Sequence, residues 1–301
     1  MVHDELRVRL RDGGYVNWVK AGHCLRLLKD GLHPYTDVEM RSFHRDVVNH
    51  NRRLRQPCQR FCSSKGDRLT SLCPICSEWS RVILRHHRQP DATVNWGNCI
   101  PPSWSHNHWE LAKAYMPRGL MKVKGFAQCD ASALLNLMNY CDHFNATDPR
   151  LVREVIRCRN ELMHSCDLHV DNEWMRRYQN SLKNLLQQLC HVSELATAAQ
   201  EITEMLTADW SICISGLDRV DATPLDGFES DSVRDWEASA NSISQWEVEL
   251  LREKLDELLD DTETRDTEQL LRLSAFLQAN RDLGELFSTE LQAISSAETR
   301  L

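Results

Sequence analysis

Apolar residues recur at steps of three and four along most of the chain, which is the period of an amphipathic helix. The stretch NWVKAGHCLRLLKDGL, residues 17–32, follows this pattern, and Gly31 with Pro34 beyond it predicts the end of the helix. A second helix is predicted over 36–53. Gly and Pro are scarce inside the periodic segments, and alternating runs rich in Val, Ile and Tyr are nearly absent. The sequence therefore predicts an all-α fold.

Three later helices carry recognisable N-terminal caps. Asp130 precedes ASALLNLMNYCDHF, Asp148 precedes the Pro149 that opens PRLVREVIRCRNELMHS, and Asp171 precedes NEWMRRYQNSLKNLLQQLCH. An Asp before a helix can accept hydrogen bonds from its first N–H groups, and Pro is favoured at the first helical position. The short links between these helices favour antiparallel neighbours in a bundle.

The pattern changes in the last third of the chain. Residues 207–242 are polar and acidic with Gly216, Pro224 and Gly227, which is typical of a linker. Beyond them, apolar residues return at helical spacing, but over too few heptads to choose between a short coiled coil and a hairpin. The expected organisation is a helical bundle over 1–55 and 105–192, a Cys-rich insertion over 56–104, a helix and acidic linker over 193–240, and an acidic helical hairpin or short coiled coil over 241–301.

Charge divides the chain at about residue 192. Through Val192 there are 28 Lys and Arg against 19 Asp and Glu, a net charge of +9. From Ser193 onward there are 8 against 25, a net charge of −17, which together gives the −8 of the whole chain. A basic body favours a phosphate-bearing partner, whereas the acidic tail would repel one. In one interpretation the tail lies over the basic face when no partner is bound, and in the other it only presents solvated helix faces.

Four cysteines form two close pairs. Cys58 and Cys62 are separated by three residues, Cys73 and Cys76 by two, and a ten-residue loop joins the pairs. Such pairs can direct four thiolates toward one Zn²⁺ at about 2.3 Å. Because four thiolates leave no open position for water, the predicted zinc is structural, holding an insertion too small to have its own core.

Other residues near these pairs are alternative ligands, namely Cys99, His86 and His87.

No stretch approaches the roughly 20 apolar residues that cross a bilayer, and the first residues lack a secretory core. We therefore expect no membrane partner and an intracellular protein, cytoplasmic or nuclear. In that reducing setting the 12 cysteines are expected to bind metal or fill the core.

A group of tryptophans surrounds the Cys-rich segment among arginines and histidines. Aromatic rings beside cations can stack on the bases of single-stranded RNA, but such rings also form the core and rim of small domains. The sequence leaves both interpretations open for Trp79, Trp96, Trp104 and Trp109.

The segment RNELMH contains the strongest candidate for catalysis. Asn160 and His164 are four residues apart and project from one helical face. Arg159 is five residues from His164, about 140° around a helix. The Arg side chain must therefore curl, the helix must loosen near His164, or an Arg from a second chain must complete the site. A helix end that carries Arg and His only for solubility is the competing interpretation.

This set of side chains suits RNA cleavage without a metal. The reaction needs a base for the 2′-hydroxyl, an acid for the leaving oxygen and a cation at the phosphate. His164 can serve as the base or the acid, Arg159 can hold a phosphate with two hydrogen bonds, and Asn160 can orient either group. Two such helices facing each other in a homodimer would supply two histidines and two arginines.

RNELMH on the penultimate helix of a bundle resembles the HEPN superfamily. Its ribonuclease members use an Arg, a following polar residue and a His four to six residues after the Arg, paired across a dimer. The resemblance implies catalytic roles for Arg159, Asn160 and His164. It also implies a HEPN-like bundle, into which this chain inserts the Cys-rich segment. Many HEPN-like domains are non-catalytic scaffolds.

A second resemblance spans nearly the whole chain through about residue 210. The blocks that carry it are NWVKAGHCLRLL, CPICSEWSRVILRHH, NWGNC, WELAKAYMPRG, CDHF and VIRCRNELMHS. They resemble an uncharacterised vertebrate protein family named for an open reading frame on the human X chromosome. That family implies no established activity.

Together these observations predict an RNA-binding HEPN-like protein that is a metal-independent endoribonuclease in one hypothesis. The alternative is a non-catalytic, zinc-stabilised adaptor that recruits a protein through its acidic C-terminal helices. Other common catalytic motifs are missing from the sequence, including a phosphate-binding Gly-rich loop and a Ser nucleophile elbow.

Overall fold

The computed structural model describes residues 3–66, 68–89, 94–210, 229–260 and 267–298. The described residues are mostly helical, which confirms the all-α class. In chain order the α-helices are α1 (Asp4–Arg9), α2 (Gly13–His50), α3 (Pro74–Arg85), α4 (His108–Ala112), α5 (Ala131–Tyr140), α6 (Pro149–Met163), α7 (Asn172–Gln188), α8 (Ser193–Thr207), α9 (Glu229–Asp260), α10 (Thr267–Ala279), α11 (Arg281–Leu286) and α12 (Ser288–Glu298). Among these helices none combines the length and apolarity required to span a bilayer.

Short elements connect the helices. The described part of the chain contains one β-hairpin, in which β1 (Ser63–Lys65) pairs antiparallel with β2 (Arg68–Thr70). Ser63 lies opposite Thr70. Single turns of 3₁₀-helix occur at Arg52–Arg55, Trp96–Asn98, Pro101–Ser103, Lys113–Tyr115, Leu120–Lys122, Phe126–Gln128 and Asp142–Phe144.

Helix α2 is continuous where two helices were predicted. The expected break at Gly31 and Pro34 is wrong, because α2 continues through both. A Cβ at Gly31 would lie 3.0 Å from side-chain atoms of Leu195 and Ala198 in α8, so the glycine permits close packing instead of ending the helix. A proline inside a helix costs about 3 kcal/mol. Fully buried side chains on both sides of Pro34 offset this cost; they are Leu28, Leu32 and Met40.

The predicted caps of α5, α6 and α7 are confirmed. Asp130 accepts a hydrogen bond from the backbone N–H of Ala133 at 2.9 Å. Asp148 accepts one from Arg150 at 2.8 Å, and Asp171 accepts one from Trp174 at 2.7 Å. Each carboxylate satisfies an N–H group that has no partner within its helix.

The predicted linker ends earlier than expected. Helix α9 begins at Glu229, so the expectation of an irregular chain up to Ser242 is wrong for residues 229–242. Pro224 and Gly227 lie before this start, and buried residues at Ala240 and Ile243 already continue the apolar face. Residues 211–228 of the predicted linker lie outside the described part of the chain.

The described residues form two compact units. The first contains described residues of 1–24, 160–177 and 204–301, and the second contains those of 25–159 and 178–203. In the first unit, the Arg9 guanidinium donates hydrogen bonds at 2.7 Å to both carboxylate oxygens of Glu247 in α9 and bonds Asp282 at 2.8–2.9 Å. The core of the second unit includes fully buried Leu134, Val152 and Leu185.

Candidate functional site

Four thiols converge in the second unit. The ligand atoms of Cys58, Cys62, Cys73 and Cys76 all lie within 4.8 Å of one another. Cys58 is half-buried, and the other three are buried. The two predicted pairs therefore come together, and they form a cluster that can hold a metal ion.

The β-hairpin and α3 position these thiols. Cys62 precedes β1, while Cys73 follows β2 and is the N-cap of α3, with Pro74 at the first helical turn. The Cys62 sulfur accepts a hydrogen bond from the Cys73 backbone N–H at 3.1 Å. The Cys73 sulfur accepts one from the Cys76 N–H at 3.5 Å. Such N–H groups stabilise negative charge on sulfur.

The electrostatics of the cluster fit a metal ion. Burial raises the pKa of Cys62 and Cys76. At Cys73 burial is outweighed by hydrogen bonds, chiefly from the backbone N–H of Cys76, and the pKa falls to about 6. Protein groups alone therefore favour a thiolate at Cys73 and a protonated thiol at Cys62 and Cys76. The positive charge of a bound metal would deprotonate those two as well.

The alternative ligands do not join this cluster. Cys99 is buried elsewhere, and burial raises its pKa to about 12. Nδ1 of His86 lies 2.8 Å from an oxygen of Asp142. Nδ1 of His87 lies 2.9 Å from the carbonyl oxygen of Gln89.

The tryptophans near the cluster are mostly core residues. Trp79, Trp104 and Trp109 are buried, so the interpretation in which they stack on RNA bases is wrong. Their indole N–H groups donate to backbone carbonyls, as for Trp79 to Leu54 at 3.2 Å. Trp96 is half-buried, and its ring meets that of Trp104 edge-on at 6.1 Å.

The end of α6 presents the RNELMH residues in unlike environments. Arg159 is 5% exposed and belongs to the second unit, where it donates to Asp130 at 3.1 Å. Asn160 and His164 belong to the first unit and are exposed. The His164 N–H donates to the Asn160 carbonyl at 2.9 Å, which places these two one helical turn apart, as predicted.

Two residues distant in sequence, Lys254 and Glu257, lie at this end of α6. Lys254 in α9 is buried, and its ammonium group donates to the carbonyl oxygens of Met163 and Ser165. A cation is favourable at a helix C-terminus because the last carbonyls point outward. Nε2 of His164 lies 4.0 Å from a carboxylate oxygen of Glu257, one turn further along α9. Sequence reasoning missed Lys254 and Glu257, since no local pattern connects them to α6.

A cationic segment includes the first pair of clustered cysteines. We name the exposed Lys and Arg side chains of 52–68 the basic segment; they are Arg52, Arg53, Arg55, Arg60, Lys65 and Arg68. Within the described residues none of the six forms an ion pair with a carboxylate. Asp67, the one acidic residue in this range of the sequence, lies outside them.

Comparison with known proteins gives one family and one relative. A family model described as a domain of unknown function, DUF4559, matches residues 9–301. A mouse protein named "Uncharacterized protein CXorf38 homolog" is 39% identical over 306 residues, covering 98% of this chain and 93% of the mouse protein. No solved structure matches the chain.

Proposed function

The chain belongs to the DUF4559 family, and from its geometry we propose that it is an RNA-binding protein with a HEPN-like bundle and a structural zinc. Family membership agrees with the vertebrate family predicted from the sequence blocks. The name of the mouse relative assigns no activity. The proposal therefore rests on residues of this chain.

The observation that carries RNA binding is the basic segment. Six exposed cations lie within 52–68. Lys and Arg side chains of this kind neutralise phosphates and release bound counterions, which supplies most of the affinity for nucleic acid. The net charge of +9 through Val192 favours the same partner.

The four-cysteine cluster supports a structural role for the metal. Four thiolates within reach of one ion match a closed tetrahedral zinc site. Such a site leaves no position for substrate or water. We assign Cys58, Cys62, Cys73 and Cys76 as the ligands, and the zinc would stabilise the β-hairpin and the start of α3.

RNA binding is tested by fluorescence anisotropy with a labelled single-stranded RNA across a salt series. The test variant combines Arg52→Gln, Arg53→Gln and Arg55→Gln. The matched control removes three exposed arginines elsewhere, Arg150→Gln, Arg176→Gln and Arg281→Gln. Each lost phosphate contact lowers the slope of log affinity against log salt by about 0.7. We expect the test variant to lose up to about 2 in slope and the control to lose little. Equal losses of slope in the test variant and in the control would contradict a localised RNA site.

Cleavage is a second candidate function, favoured by the exposure of Asn160 and His164 at the end of α6. The burial of Arg159 against Asp130 favours binding without turnover. End-labelled RNA is incubated with the parent and with His164→Ala in EDTA, with folding of both checked by circular dichroism. Cleavage by the parent alone would assign catalysis to RNELMH. If two folded proteins are both inert, the catalytic hypothesis fails. Independently of this assay, sedimentation of the parent tests whether it forms the homodimer that the HEPN resemblance implies.

The adaptor function is favoured by two exposed leucines in the acidic C-terminal part. Leu271 in α10 is 46% exposed, and Leu286 in α11 is 50% exposed. Exposed apolar side chains on a helix can enter a hydrophobic groove of a partner protein. Retention of a protein partner by the parent, and its loss with Leu271→Ser and Leu286→Ser, would favour the adaptor. Unchanged retention would remove these helices from consideration.

A further inference from the structure

The most exposed large hydrophobic side chain among the described residues is Phe61. Its exposure is 101%, whereas the next is Val8 at 64%. A solvated Phe forgoes the roughly 2 kcal/mol that its burial would contribute. Packing within the described fold therefore does not explain an aromatic ring at this position.

The backbone around Phe61 is held by the cysteine cluster. The Cys62 N–H donates to the Arg60 carbonyl at 2.9 Å, which closes a three-residue turn with Phe61 at its centre. Cys58 precedes this turn and Cys62 is its last residue, and they contribute two of the four clustered sulfur atoms. The ring is thus held outward by a short, anchored loop, and little conformational entropy is lost when it binds a ligand.

The charges close to Phe61 in sequence indicate the class of ligand. Arg60 precedes Phe61, and Lys65 and Arg68 lie on the two strands that follow. Lys65 and Arg68 are paired in the register of the hairpin. An exposed aromatic ring among cations complements a ligand that carries both flat rings and negative charge. A polynucleotide has this chemistry in every residue.

We infer that Phe61 is the stacking residue of a single-stranded RNA site, in which Arg60 and its cationic neighbours bind the flanking phosphates. This inference rests on the RNA binding proposed above and deepens it. The strand must be single because bases in a duplex are already stacked on each other and do not expose their faces. Every base offers a π-face, so the site does not require a particular sequence.

Three substitutions of Phe61 separate stacking from simple hydrophobicity. Phe61→Tyr keeps an aromatic ring, Phe61→Leu keeps an apolar side chain, and Phe61→Ala removes both. The affinity of full-length protein is measured by anisotropy for a labelled oligouridine and for a duplex RNA of the same length. Val38→Ala is the control, since Val38 is 63% exposed in α2, outside this segment.

We expect Phe61→Leu and Phe61→Ala to weaken oligouridine binding at least about fivefold, the lower limit for one stacked base. Phe61→Tyr and Val38→Ala should stay within about twofold of the parent. Duplex binding should change less than about twofold in all four variants. Bound zinc and melting temperature should match those of the parent, because the side chain makes no packing contribution.

Several results would overturn the inference. If the parent binds oligouridine and Phe61→Leu binds it equally well, stacking is wrong while RNA binding stands. If the parent binds neither RNA, the inference and the proposed function fail together. Binding of the parent to phosphatidylserine vesicles but not to RNA would reject both and assign the ring to a membrane surface.

Discussion

The four-cysteine segment and the end of α6 differ in how they are built. The thiols lie within 58–76, and a hairpin between the pairs brings them together. The residues of RNELMH share one helix, but Arg159 is buried against Asp130 while Asn160 and His164 face solvent. In the four-cysteine segment, residues close in sequence supply both the side chains and the groups that they contact. In α6, the helix fixes where each side chain lies, but residues distant in sequence supply the groups that it contacts.

The largest effect is expected from a substitution in the first region, the four-cysteine segment. Cys73→Ser removes one of the four clustered thiols, while the serine hydroxyl can still accept the hydrogen bond that caps α3. We expect loss of bound zinc and a fall in the free energy of unfolding of about 4 kcal/mol or more, because a structural metal contributes directly to folding. Zinc content and urea unfolding give the two readouts. Cys190→Ser, at an exposed cysteine, is the control. Full zinc binding by Cys73→Ser would refute the assigned ligand set.

The next largest effect is expected from removal of the Arg159 side chain, the buried member of RNELMH. Arg159→Ala leaves the Asp130 carboxylate without its cation, and Asp130 is still about one-third exposed. We expect a loss of about 2 kcal/mol, below the range for a fully buried pair. Urea unfolding measures it, with Arg157→Ala as the exposed control on the same helix. A change below about 0.5 kcal/mol would show that the pair with Asp130 is not structural.

A smaller effect concerns pH at His44 in α2, which packs against α3, the helix that begins at the first region. His44 stacks on Trp79 of α3 at 5.3 Å, with its Nε2 2.7 Å from the carbonyl oxygen of Trp104. Burial lowers the pKa of His44, so the folded state resists the proton that the unfolded chain accepts. Its contribution to stability is present above the unfolded pKa of about 6.5 and is lost as pH falls below it.

His44→Gln therefore should reduce the loss of stability between pH 7.5 and 5.5 relative to the parent. Urea unfolding at the two pH values measures this difference. Acid also protonates the cysteine ligands, but it does so in both proteins, so the comparison isolates the histidine. An identical pH dependence in parent and variant would contradict the role of His44.

The smallest effect is expected at His164. Its side chain is 55% exposed and lies 4.0 Å from Glu257, a distance at which an exposed pair contributes little. His164→Ala should change the free energy of unfolding by less than about 0.5 kcal/mol. Urea unfolding provides the measurement. A loss above about 1 kcal/mol would show that this helix end depends on the histidine for stability.

Local signals in the sequence predicted much of the backbone. Asp130, Asp148 and Asp171 start their helices as expected, because a cap acts within its own turn. Gly31 misled the prediction, since a glycine before a proline is typical of a helix end. Its actual role depends on α8, which lies far away in sequence.

The candidate sites differ in how much of their structure the sequence predicted. The spacing of the four cysteines predicted their clustering, because the distance between paired ligands is limited by two or three intervening residues. The sequence could not predict that Arg159 is buried against Asp130, or that Lys254 meets the end of α6. The full exposure of Phe61 was equally hidden, since a single aromatic in an irregular segment has no hydrophobic period that would assign it to the core or to the surface.

The clustered thiols also make the stability of the folded segment depend on how much free metal is present. A metal held by all four binds the folded segment far better than the unfolded chain, so it stabilises by an amount that grows with the logarithm of free metal concentration. The hairpin and its outward aromatic turn are then best ordered where the ion is plentiful. Competition from other cellular ligands for that ion would lower the fraction of molecules that carry the turn.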